Sequence, residues 1–401
     1  MISVEEARDR ILAGLRPTPA ELVALPDAWG RVTAAPVIAR LTQPPADMSA
    51  MDGYALRAAD GTAGSVLRVI GAAPAGHPFD GQIGPGEAVR LFTGSVVPAG
   101  ADTILLQEDA TAGEGTVRVN ETVRPSRHIR RTGQDFAAGD AVLPQGRRLT
   151  ARDIGLAAAA NHPWLTVHRC PRIGILATGD EIAMPGEPIP PGGVVSSNSH
   201  ALAAMVRAAG GTPIVLPVAA DTPGAIAAVA DAIAGMDMLV TTGGASVGDH
   251  DLVVAGLQAR GLTLDFWKIA MRPCKPLLFG ALGATPVLGL PGNPVSALIC
   301  AILFLLPALA RLSGLPAAPP PTVPARLATP LPANDRRADY LRATLAADSA
   351  GRLVATPIAS QDSAMLRRLA QADALIVRPP HALAAPEGAD IAVIRLDAIG
   401  V

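Results

Sequence analysis

The sequence predicts a multidomain protein that combines an α/β domain with β domains, and three observations lead to this expectation. Residues 171–315 alternate apolar runs of strand length with helix-like segments, which is typical of a doubly wound parallel sheet with helices on both faces. Residues 43–136 and 316–401 consist of short Val, Ile and Leu runs separated by Gly and Pro, which is typical of β domains. A length of 401 residues is enough for about two to four domains.

The N-terminal residues 3–15 are predicted to form a helix. Ser3 is a suitable N-cap, Glu6 completes a capping box, and Gly14 lies near the end. Apolar residues recur on one side of this segment, so we expect that face to be buried.

The region after the first β domain returns to a helix, predicted over residues 151–160, and to short strands. We expect residues 137–170 to pack back onto the N-terminal helix. Residues 1–42 and 137–170 then form one discontinuous helical domain, and the β domain 43–136 is an insertion in it.

Strands are predicted in both β domains from their apolar runs. In the first β domain they cover residues 66–70, 88–92 and 116–119, and in the last they cover residues 353–355, 374–377 and 391–394. Residues 314–324 are rich in proline and are interpreted as a linker.

The central domain is predicted to contain four strands, each followed by a helix. The strands cover residues 173–177, 213–218, 238–242 and 286–290. The helices cover residues 199–209, residues 223–234 with Asp221 as the cap, a segment after Asp249, and a segment from Val295. Ligands of such sheets bind outside the carboxyl ends of the strands, so we expect the site there.

Composition and charge exclude several classes. The formal net charge is −2 and no basic tract is interleaved with aromatic residues, which argues against a nucleic-acid surface. Cys170, Cys274 and Cys300 are too few and too far apart for a disulfide framework or a zinc site. The N-terminus does not resemble a signal peptide, and the apolar run 297–306 stops at Pro307, short of the roughly 18 residues that a membrane span needs. We therefore expect a cytoplasmic protein.

Only two of the 33 basic residues are lysines, Lys268 and Lys275, and Arg272 lies between them. Lysine is a compact point charge that commonly binds phosphate, so this segment is a candidate site for an anionic ligand. The simpler interpretation is two surface lysines that happen to be close in sequence.

Four loops are expected at the carboxyl edge of the central sheet. The loop 241–251 combines glycines, hydroxyls and a following helix, which suits phosphate, although an ordinary strand–helix connection has the same appearance. Asp249 and Asp251 end that loop, and carboxylates beside a phosphate site typically serve Mg²⁺. Asp180, Glu181 and Asp221 have simpler interpretations as first-turn acids and an N-cap.

A series of motifs, in order along nearly the whole chain, resembles the molybdopterin molybdenumtransferase family, called MoeA in bacteria and represented by the E domain of gephyrin. The motifs are Met51-Asp52-Gly53-Tyr54-Ala55, Thr93-Gly94, Pro98-Ala99-Gly100-Ala101-Asp102, Arg130-Arg131-Thr132-Gly133-Gln134-Asp135, Thr178-Gly179-Asp180-Glu181, Gly243-Gly244-Ala245-Ser246-Val247-Gly248, the lysine segment, Leu290-Pro291-Gly292-Asn293-Pro294-Val295-Ser296, Arg337-Ala338-Asp339-Tyr340-Leu341-Arg342 and Gln361-Asp362-Ser363-Ala364-Met365-Leu366.

This resemblance implies an elongated homodimer of four-domain chains, with 1–42 and 137–170 as the dimerisation domain. It implies that residues 171–315 form a molybdopterin-binding-like domain, that residues 316–401 form a β-barrel-like domain, and that the partner's β domain shares the active-site cleft. The implied reaction inserts molybdate into the dithiolene of adenylylated molybdopterin, with Mg²⁺-dependent release of AMP. The implied further partners are the molybdopterin adenylyltransferase and acceptor molybdoenzymes.

The resemblance also assigns roles to individual residues. It implies catalytic roles for Asp52, Thr93, Asp135, Glu181, Lys268 and Lys275. It implies nucleotide or substrate binding by Thr178, Gly179, Asp221, Gly243, Gly244, Ser246, Gly248, Pro291, Gly292, Asn293 and Pro294. It implies a molybdate site framed by Arg272, Lys275, Ser296, Arg337 or Arg342, and Ser363. It implies Mg²⁺ binding by Glu181, Asp221 and Asp251, with Asp249 as the alternative to Asp251.

Some residues depart from the family pattern. Arg272 stands where many relatives have Lys, and Ala364 replaces a common Gly. Cys274 replaces the usual Gly between two cations, either as a passive small residue or as a thiol whose pKa those cations lower. Two other functions stay open, a molybdopterin adenylyltransferase and a non-catalytic scaffold like gephyrin. The sequence does not separate molybdate from tungstate.

Overall fold

The computed structural model describes residues 1–220, 222–243 and 252–400. It confirms the predicted fold class, because an α/β domain is flanked by an inserted β domain and a C-terminal β barrel. The domain boundaries given above stay a prediction.

The N-terminal helix covers Val4–Ala13, and Ser3 caps it by accepting the Glu6 N–H at 3.0 Å. Its apolar face belongs to the large core of the central domain, where it packs on the helix that ends at Leu312. The expectation that residues 137–170 pack onto this helix is therefore wrong. They contact the chain that follows the helix, because the helix buries its apolar face elsewhere.

The discontinuous small domain is held together by strand pairing across the insertion. Ala20–Ala24 pairs with Trp164–His168, and Val37–Ile38 pairs with Ala141–Leu143, both antiparallel. The predicted second helix covers Ala151–Ala159. The pairing brings the two ends of the intervening segment together, as expected for an inserted domain.

The inserted domain is built on one six-stranded sheet. Its strands, in spatial order, are Thr103–Leu106, Gly53–Leu56, Glu87–Leu91, Val66–Ala73, Thr116–Val119 and Ala110–Gly113. The three predicted strands are confirmed within three residues at each end. A separate ribbon, Met48–Ser49 against Ile129–Arg130, lies beside the sheet.

The central domain contains a six-stranded mixed sheet. In spatial order its strands are Thr212–Val215, Arg172–Ala177, Met238–Thr242, Thr285–Leu290, Leu278–Leu282 and Leu262–Trp267. The first four are parallel, and the last two add as successive antiparallel neighbours. The sequence did not predict those last two strands. Since two reversals restore the direction, Leu262–Trp267 ends at the same edge as the four parallel strands.

Four helices of the described residues flank this sheet. They are Asn198–Ala208, Pro223–Ala232, Leu252–Gln258 and the long helix Pro294–Leu312. The second is capped by Thr222, whose hydroxyl accepts the Ala225 N–H at 3.2 Å. The prediction that Asp221 is the cap is therefore wrong; Asp221 itself lies outside the described residues.

The apolar run 297–306 ends at Pro307, but the long helix does not. A π-helical turn at Ala301–Leu305 widens the helix just before the proline, which has no N–H to donate, and the helix continues to Leu312. With 19 residues and a mean hydropathy of 2.3 it is long enough to cross a membrane, but 83% of it is buried within the protein. It is the core helix of the central domain.

The C-terminal domain is a closed five-stranded barrel. Its strands are Val323–Leu327, Ala338–Ala347, Leu353–Pro357, Ala374–Arg378 and Asp390–Arg395. The barrel closes because Ala338–Ala347 pairs with both Leu353–Pro357 and Ala374–Arg378. Met271–Arg272, from the lysine segment, adds to Ala338–Ala347 as a parallel strand, which joins this domain to the central one.

Candidate active site

A cavity of about 760 Å³ opens at the carboxyl edge of the central sheet. Its wall comes from the loops after three parallel strands, from the start of the helix Asn198–Ala208, from the lysine segment and from one loop of the C-terminal barrel. The lining residues are Ala177, Thr178, Glu181, Ile182, Val194, Val195, Ser196, Ser197, Asn198, Thr242, Gly243, Pro273, Cys274, Lys275, Pro276, Pro291, Gly292, Asn293, Pro294, Ser296, Ser363 and Ala364. The sequence therefore predicted the edge at which the cavity lies.

Lys275 is the cation of the described cavity wall. The segment that carries it, residues 268–277, links the two antiparallel strands at the carboxyl edge of the sheet. Its backbone is closed by the Ile269 N–H, which donates to the Lys275 carbonyl at 3.0 Å. Lys275 is exposed and forms no ion pair with any residue in the described ranges. An anion in the cavity would meet an ammonium group with no competing carboxylate from these residues.

Arg272 does not line the cavity and is held by the C-terminal domain. Its Nε donates to Asp339 Oδ1 at 2.6 Å, and a second nitrogen donates to Asn334 Oδ1 at 2.8 Å. These bonds use much of the hydrogen-bonding capacity of the guanidinium group, and they join the two domains. In this conformation Arg272 is a positioning residue for the lysine segment rather than an anion ligand.

Lys268 lies away from the described cavity wall as well. Its Nζ sits 5.4 Å from the centre of the Trp267 ring, a cation–π arrangement. Its φ of 132° is a backbone conformation that non-glycine residues rarely adopt. The strain sits where the strand Leu262–Trp267 turns into the lysine segment, so it helps to set the direction of that segment.

Two polar atoms of the cavity wall have no hydrogen-bond partner among the described residues. Thr178 is 3% exposed, and its Oγ1 has no partner; the same is true of Asn198 Oδ1. The amide nitrogen of Asn198 donates to Thr242 Oγ1 at 2.7 Å and to the Gly292 carbonyl at 2.8 Å, which orients Oδ1 away from them. A buried polar group without a partner costs about 1–3 kcal/mol, so these atoms are suited to ligand contacts.

Glycines bring the backbone close together beside Thr178. Gly243 has φ 90°, and a Cβ there would lie 2.6 Å from the Thr178 carbonyl oxygen. A Cβ at Gly292 would lie 3.5 Å from the Gly243 Cα. These close approaches leave room for a ligand to contact the main chain directly.

Glu181 is the acid of the described cavity wall and is exposed. Its carboxylate folds toward Gly179, where a Cβ would lie 2.5 Å from Oε2. A carboxylate in this place is a suitable Mg²⁺ ligand. The described residues contain no cluster of three His, Cys, Asp or Glu side chains that could hold a metal on its own.

The turn at residues 291–294 brings the C-terminal domain to the cavity. Asn293 Nδ2 donates to Ser363 Oγ at 3.0 Å, and the Val295 N–H donates to the Ser363 carbonyl at 3.1 Å. Ser296, in the first turn of the long helix, is buried and also lines the cavity. The structure thus brings together Lys275, Ser296 and Ser363, three of the residues predicted to frame molybdate.

The two other arginines predicted at the molybdate site lie outside the described wall. Arg342 is 1% exposed and donates to the Ser360 carbonyl at 3.2 Å and the Met365 carbonyl at 3.3 Å, so it fixes the loop that carries Ser363. Arg337 pairs with Asp335 at 3.0 Å, and its hydrogen bonds lower the pKa of Asp335 to about 2. Arg342 therefore acts on the site through the position of Ser363.

Asp52 and Thr93 meet in the inserted domain. Asp52 Oδ1 accepts the Thr93 N–H at 2.7 Å and the Thr93 hydroxyl at 2.8 Å. These bonds hold the pKa of Asp52 below its usual value. Asp135 is exposed, and it follows the strand Ile129–Arg130 in the chain. None of the three contributes to the described wall of the cavity in the same chain.

Several predicted site residues lie outside the described residues. They are Asp221, Gly244, Ser246, Gly248, Asp249 and Asp251. Their assigned roles in nucleotide and Mg²⁺ binding stay predictions.

Sequence reasoning missed part of the cavity wall. Asn198 and Thr242 are the clearest examples, because they orient each other across two loops. The run Ser196-Ser197-Asn198-Ser199 at the start of a predicted helix was a usable signal, since such residues cluster at helix N-termini. Val194 and Val195 were missed because they form a strand of only two residues, which is too short to show a hydrophobic periodicity in the sequence.

Comparison with protein families finds three models that together match most of the chain. Residues 2–161 match the MoeA N-terminal region (domains I and II), and residues 174–311 match a probable molybdopterin binding domain. Residues 324–396 match the MoeA C-terminal region (domain IV).

Relatives named molybdopterin molybdenumtransferase are similar over nearly full length. The protein from a Nostoc species is 35% identical over 94% of this chain and 88% of its own. Molybdopterin molybdenumtransferase 2 of Mycobacterium tuberculosis is 35% identical over 98% of this chain and 99% of its own. The Haemophilus influenzae protein is 36% identical over 78% of each chain.

A solved structure has the same fold over the whole chain. The molybdopterin biosynthesis MoeA protein of Pyrococcus horikoshii superposes with a TM-score of 0.86 at 28% identity, covering 98% of this chain and 99% of that one. The cavity described above thus lies in a fold shared along the full length of that protein.

Proposed function

Because the chain belongs to the molybdopterin molybdenumtransferase (MoeA) family and is an enzyme of molybdenum cofactor biosynthesis, we propose how its site inserts molybdenum. In this proposal, molybdate and adenylylated molybdopterin bind in the cavity at the carboxyl edge of the central sheet. Molybdenum enters the dithiolene, the pyrophosphate link is hydrolysed, and AMP leaves in a step that depends on Mg²⁺.

The observation that supports this proposal best is the convergence of Lys275, Ser296 and Ser363 on one cavity. A tetrahedral dianion needs a cation and hydroxyl donors, and these three side chains supply both. Ser363 comes from the C-terminal domain and the other two from the central domain, so the anion site depends on the contact between the two domains.

The unpartnered atoms of Thr178 and Asn198 suit the organic part of the substrate. Asn198 Oδ1 is an acceptor, and the Thr178 hydroxyl both donates and accepts. A pterin or purine ring presents N–H groups and ring nitrogens along its edge. Val194 and Val195 add apolar surface on which a flat ring can lie.

Glu181 is the described residue that would hold Mg²⁺, with Asp221 and Asp251 as the other proposed ligands. When bound, the ion neutralises phosphate charge and stabilises the leaving AMP. The protein's own part is to orient the substrate: the glycine-lined backbone at Gly243 and Gly292 receives the phosphates, and Lys275 holds the oxyanion.

We propose that two chains form the working unit. In the small domain, Leu22 and Trp164 lie on one face of the strand pair Ala20–Ala24 with Trp164–His168, because cross-strand neighbours share a face. Leu22 is 66% exposed, Trp164 52% and the nearby turn residue Trp29 71%. Exposed apolar residues of this size are typical of a protein interface. A second copy would bring its Asp52 and Thr93 to the cavity of the first chain, which the first chain's own Asp52 and Thr93 do not line.

The contribution of Ser363 and Ala364 to the cavity also separates this function from that of an adenylyltransferase. A protein that only adenylylates molybdopterin would need the central domain alone. We further propose a cytoplasmic location, with the adenylyltransferase that supplies the substrate and the acceptor molybdoenzymes as transient partners.

The test supplies the purified protein with adenylylated molybdopterin, molybdate and Mg²⁺. We expect AMP release that depends on molybdate and the reconstitution of an apo-molybdoenzyme. Absence of AMP release at saturating substrate would contradict the proposal. Binding of the nucleotide without turnover would instead support a scaffold, and consumption of ATP with molybdopterin would support an adenylyltransferase.

A further inference from the structure

Two of the three cysteines lie against each other at the wall of the cavity. Cys274 lines the cavity between Pro273 and Lys275 and is 8% exposed. Cys300 is completely buried in the same core, and the neighbouring Cys274 thiol adds to the effect of burial in raising the pKa of the Cys300 thiol. Both are free thiols.

The helix geometry explains why the two thiols meet. Ser296 lines the cavity in the first turn of the long helix, and Cys300 lies four residues further along. Residues four apart share a helix face, so Cys300 lies one turn below the cavity floor on the side that Ser296 presents. Cys274 belongs to the same buried core and lies on the lysine segment, where its thiol donates to the Pro276 carbonyl at 3.0 Å.

The two cysteines differ in access. Cys274 lines the cavity and is 8% exposed, whereas Cys300 is completely buried, and burial raises the pKa of its thiol. Reactivity with oxidants follows exposure and thiolate character, and sensor cysteines commonly have a second cysteine beside them that resolves the first oxidation product. Cys274 and Cys300 have this arrangement.

We propose that Cys274 and Cys300 are an oxidation site that a hydroperoxide converts into an internal disulfide. The Cys274 sulfur attacks the peroxide, the O–O bond breaks, and Cys274 becomes a sulfenic acid while its thiol proton leaves in the alcohol or water that is released. The Cys300 sulfur then attacks the Cys274 sulfur, the S–O bond breaks, and the hydroxyl leaves as water with the Cys300 proton. The pair of thiols loses two electrons and the peroxide gains them.

The modification acts on the site through Lys275. A disulfide ties Cys274 down to the long helix, and the next residue is the cation of the described cavity wall. It also removes the Cys274 hydrogen bond to Pro276 that supports the segment. Since a misplacement of about 1 Å can cost about 100-fold in rate, we expect oxidation to lower turnover at least about tenfold.

The test oxidises the full-length protein with graded hydrogen peroxide and maps its thiols by alkylation and peptide mass spectrometry. We expect a peptide pair linked through Cys274 and Cys300, with the loss of two hydrogens, and its reversal by dithiothreitol. The Cys170→Ser variant should form the same link. This chemical readout does not depend on the proposed function. Absence of the linked pair when Cys274 is fully oxidised would overturn the proposal.

Activity gives the second readout. The Cys300→Ala variant should keep its basal turnover, because Cys300 does not line the described cavity, and it should no longer recover with dithiothreitol after excess peroxide, since its Cys274 has no partner to stop over-oxidation. Equal recovery of the wild type and Cys300→Ala would contradict the proposal. If Cys300→Ala does not fold, the linked peptide in the wild type decides alone.

Discussion

The central-domain cavity and the Asp52–Thr93 pair differ in how complete they are within one chain. The cavity is concave, draws on two domains and contains buried polar atoms that have no partner among the described residues. The Asp52–Thr93 pair lies on the inserted domain, is joined by two hydrogen bonds and does not line the central-domain cavity of its own chain. In the function proposed above, the first region holds the substrate, and the second becomes catalytic only when another chain covers it.

The largest effect is expected when the cavity loses its cation. Lys275→Ala should lower kcat/KM for molybdenum insertion by about 100- to 1,000-fold, the usual cost of one oxyanion ligand, and should affect molybdate dependence far more than nucleotide binding. Lys268→Ala is the matched control, since it removes the other lysine of the segment but lies outside the described wall. Steady-state AMP release measures both. Equal losses in the two variants would contradict the distinction between them.

A smaller effect is expected in the inserted domain. Asp52→Ala should lower turnover by about 100-fold and leave nucleotide affinity unchanged, because Asp52 does not line the cavity of its own chain. Asp47→Ala is the matched control, since Asp47 accepts the N–H and hydroxyl of Thr132 in the same manner. Its turnover should fall only in proportion to any loss of folded protein. Weaker nucleotide binding by Asp52→Ala would place Asp52 in the cavity after all.

The cavity wall can also be tested through stability. Thr178→Val removes a buried hydroxyl without a partner, so the free energy of unfolding should rise by about 1 kcal/mol while substrate affinity falls about tenfold. Thr242→Val should lower the free energy of unfolding by about 1–3 kcal/mol, because Thr242 accepts from Asn198 and donates to the Pro291 carbonyl. Thermal unfolding and titration calorimetry measure the two quantities. Destabilisation by Thr178→Val would contradict a ligand-binding role for its hydroxyl.

The smallest effect concerns the domain contact that supports the lysine segment. The pKa of Asp335 is lowered from 3.8 to about 2, chiefly by hydrogen bonds from Arg337 and also by the nearby Arg272. A folded-state pKa below the unfolded value stabilises the protein above the unfolded pKa, and this stabilisation is lost as pH falls through the folded pKa. Asp335→Asn should therefore flatten the acid side of the stability profile between pH 3.8 and about 2. An unchanged profile would show that this carboxylate is not coupled to folding.

Most elements of the fold could be predicted because the hydrophobic periodicity of a strand or helix is a local property of the sequence. Strands such as Met238–Thr242 and the helix Ala151–Ala159 lie within two residues of their predicted bounds. The placement of the N-terminal helix was not predicted, since nothing in an amphipathic pattern says which core the helix joins. The two antiparallel strands, Leu262–Trp267 and Leu278–Leu282, were missed because they break the strand–helix alternation.

The candidate site was predicted only in part, because some of its features are local in the sequence and others depend on distant contacts. Lys275 was predicted from the rarity of lysine in the chain, and the turn at residues 291–294 was predicted from its glycine and prolines. The separation of Lys275 from Lys268 and Arg272 was not visible, since it depends on which side chains the C-terminal barrel engages. Asn198 was missed because its role arises from hydrogen bonds to Thr242 and Gly292, which are distant in sequence.

The most direct test of a cleft shared by two chains is subunit complementation. Asp52→Ala and Lys275→Ala chains are co-expressed with different tags, and the mixed dimer is isolated. In a shared cleft each mixed dimer retains one intact site of two, so we expect about half of the wild-type AMP release per dimer. A dimer of wild type with a chain that carries both substitutions should be nearly inactive in the same arrangement. The opposite result would contradict the account. The dimer of Asp52→Ala with Lys275→Ala would then be as inactive as its parents, and the dimer of wild type with the doubly substituted chain would keep half of the activity. Such a result would show that each site lies within one chain.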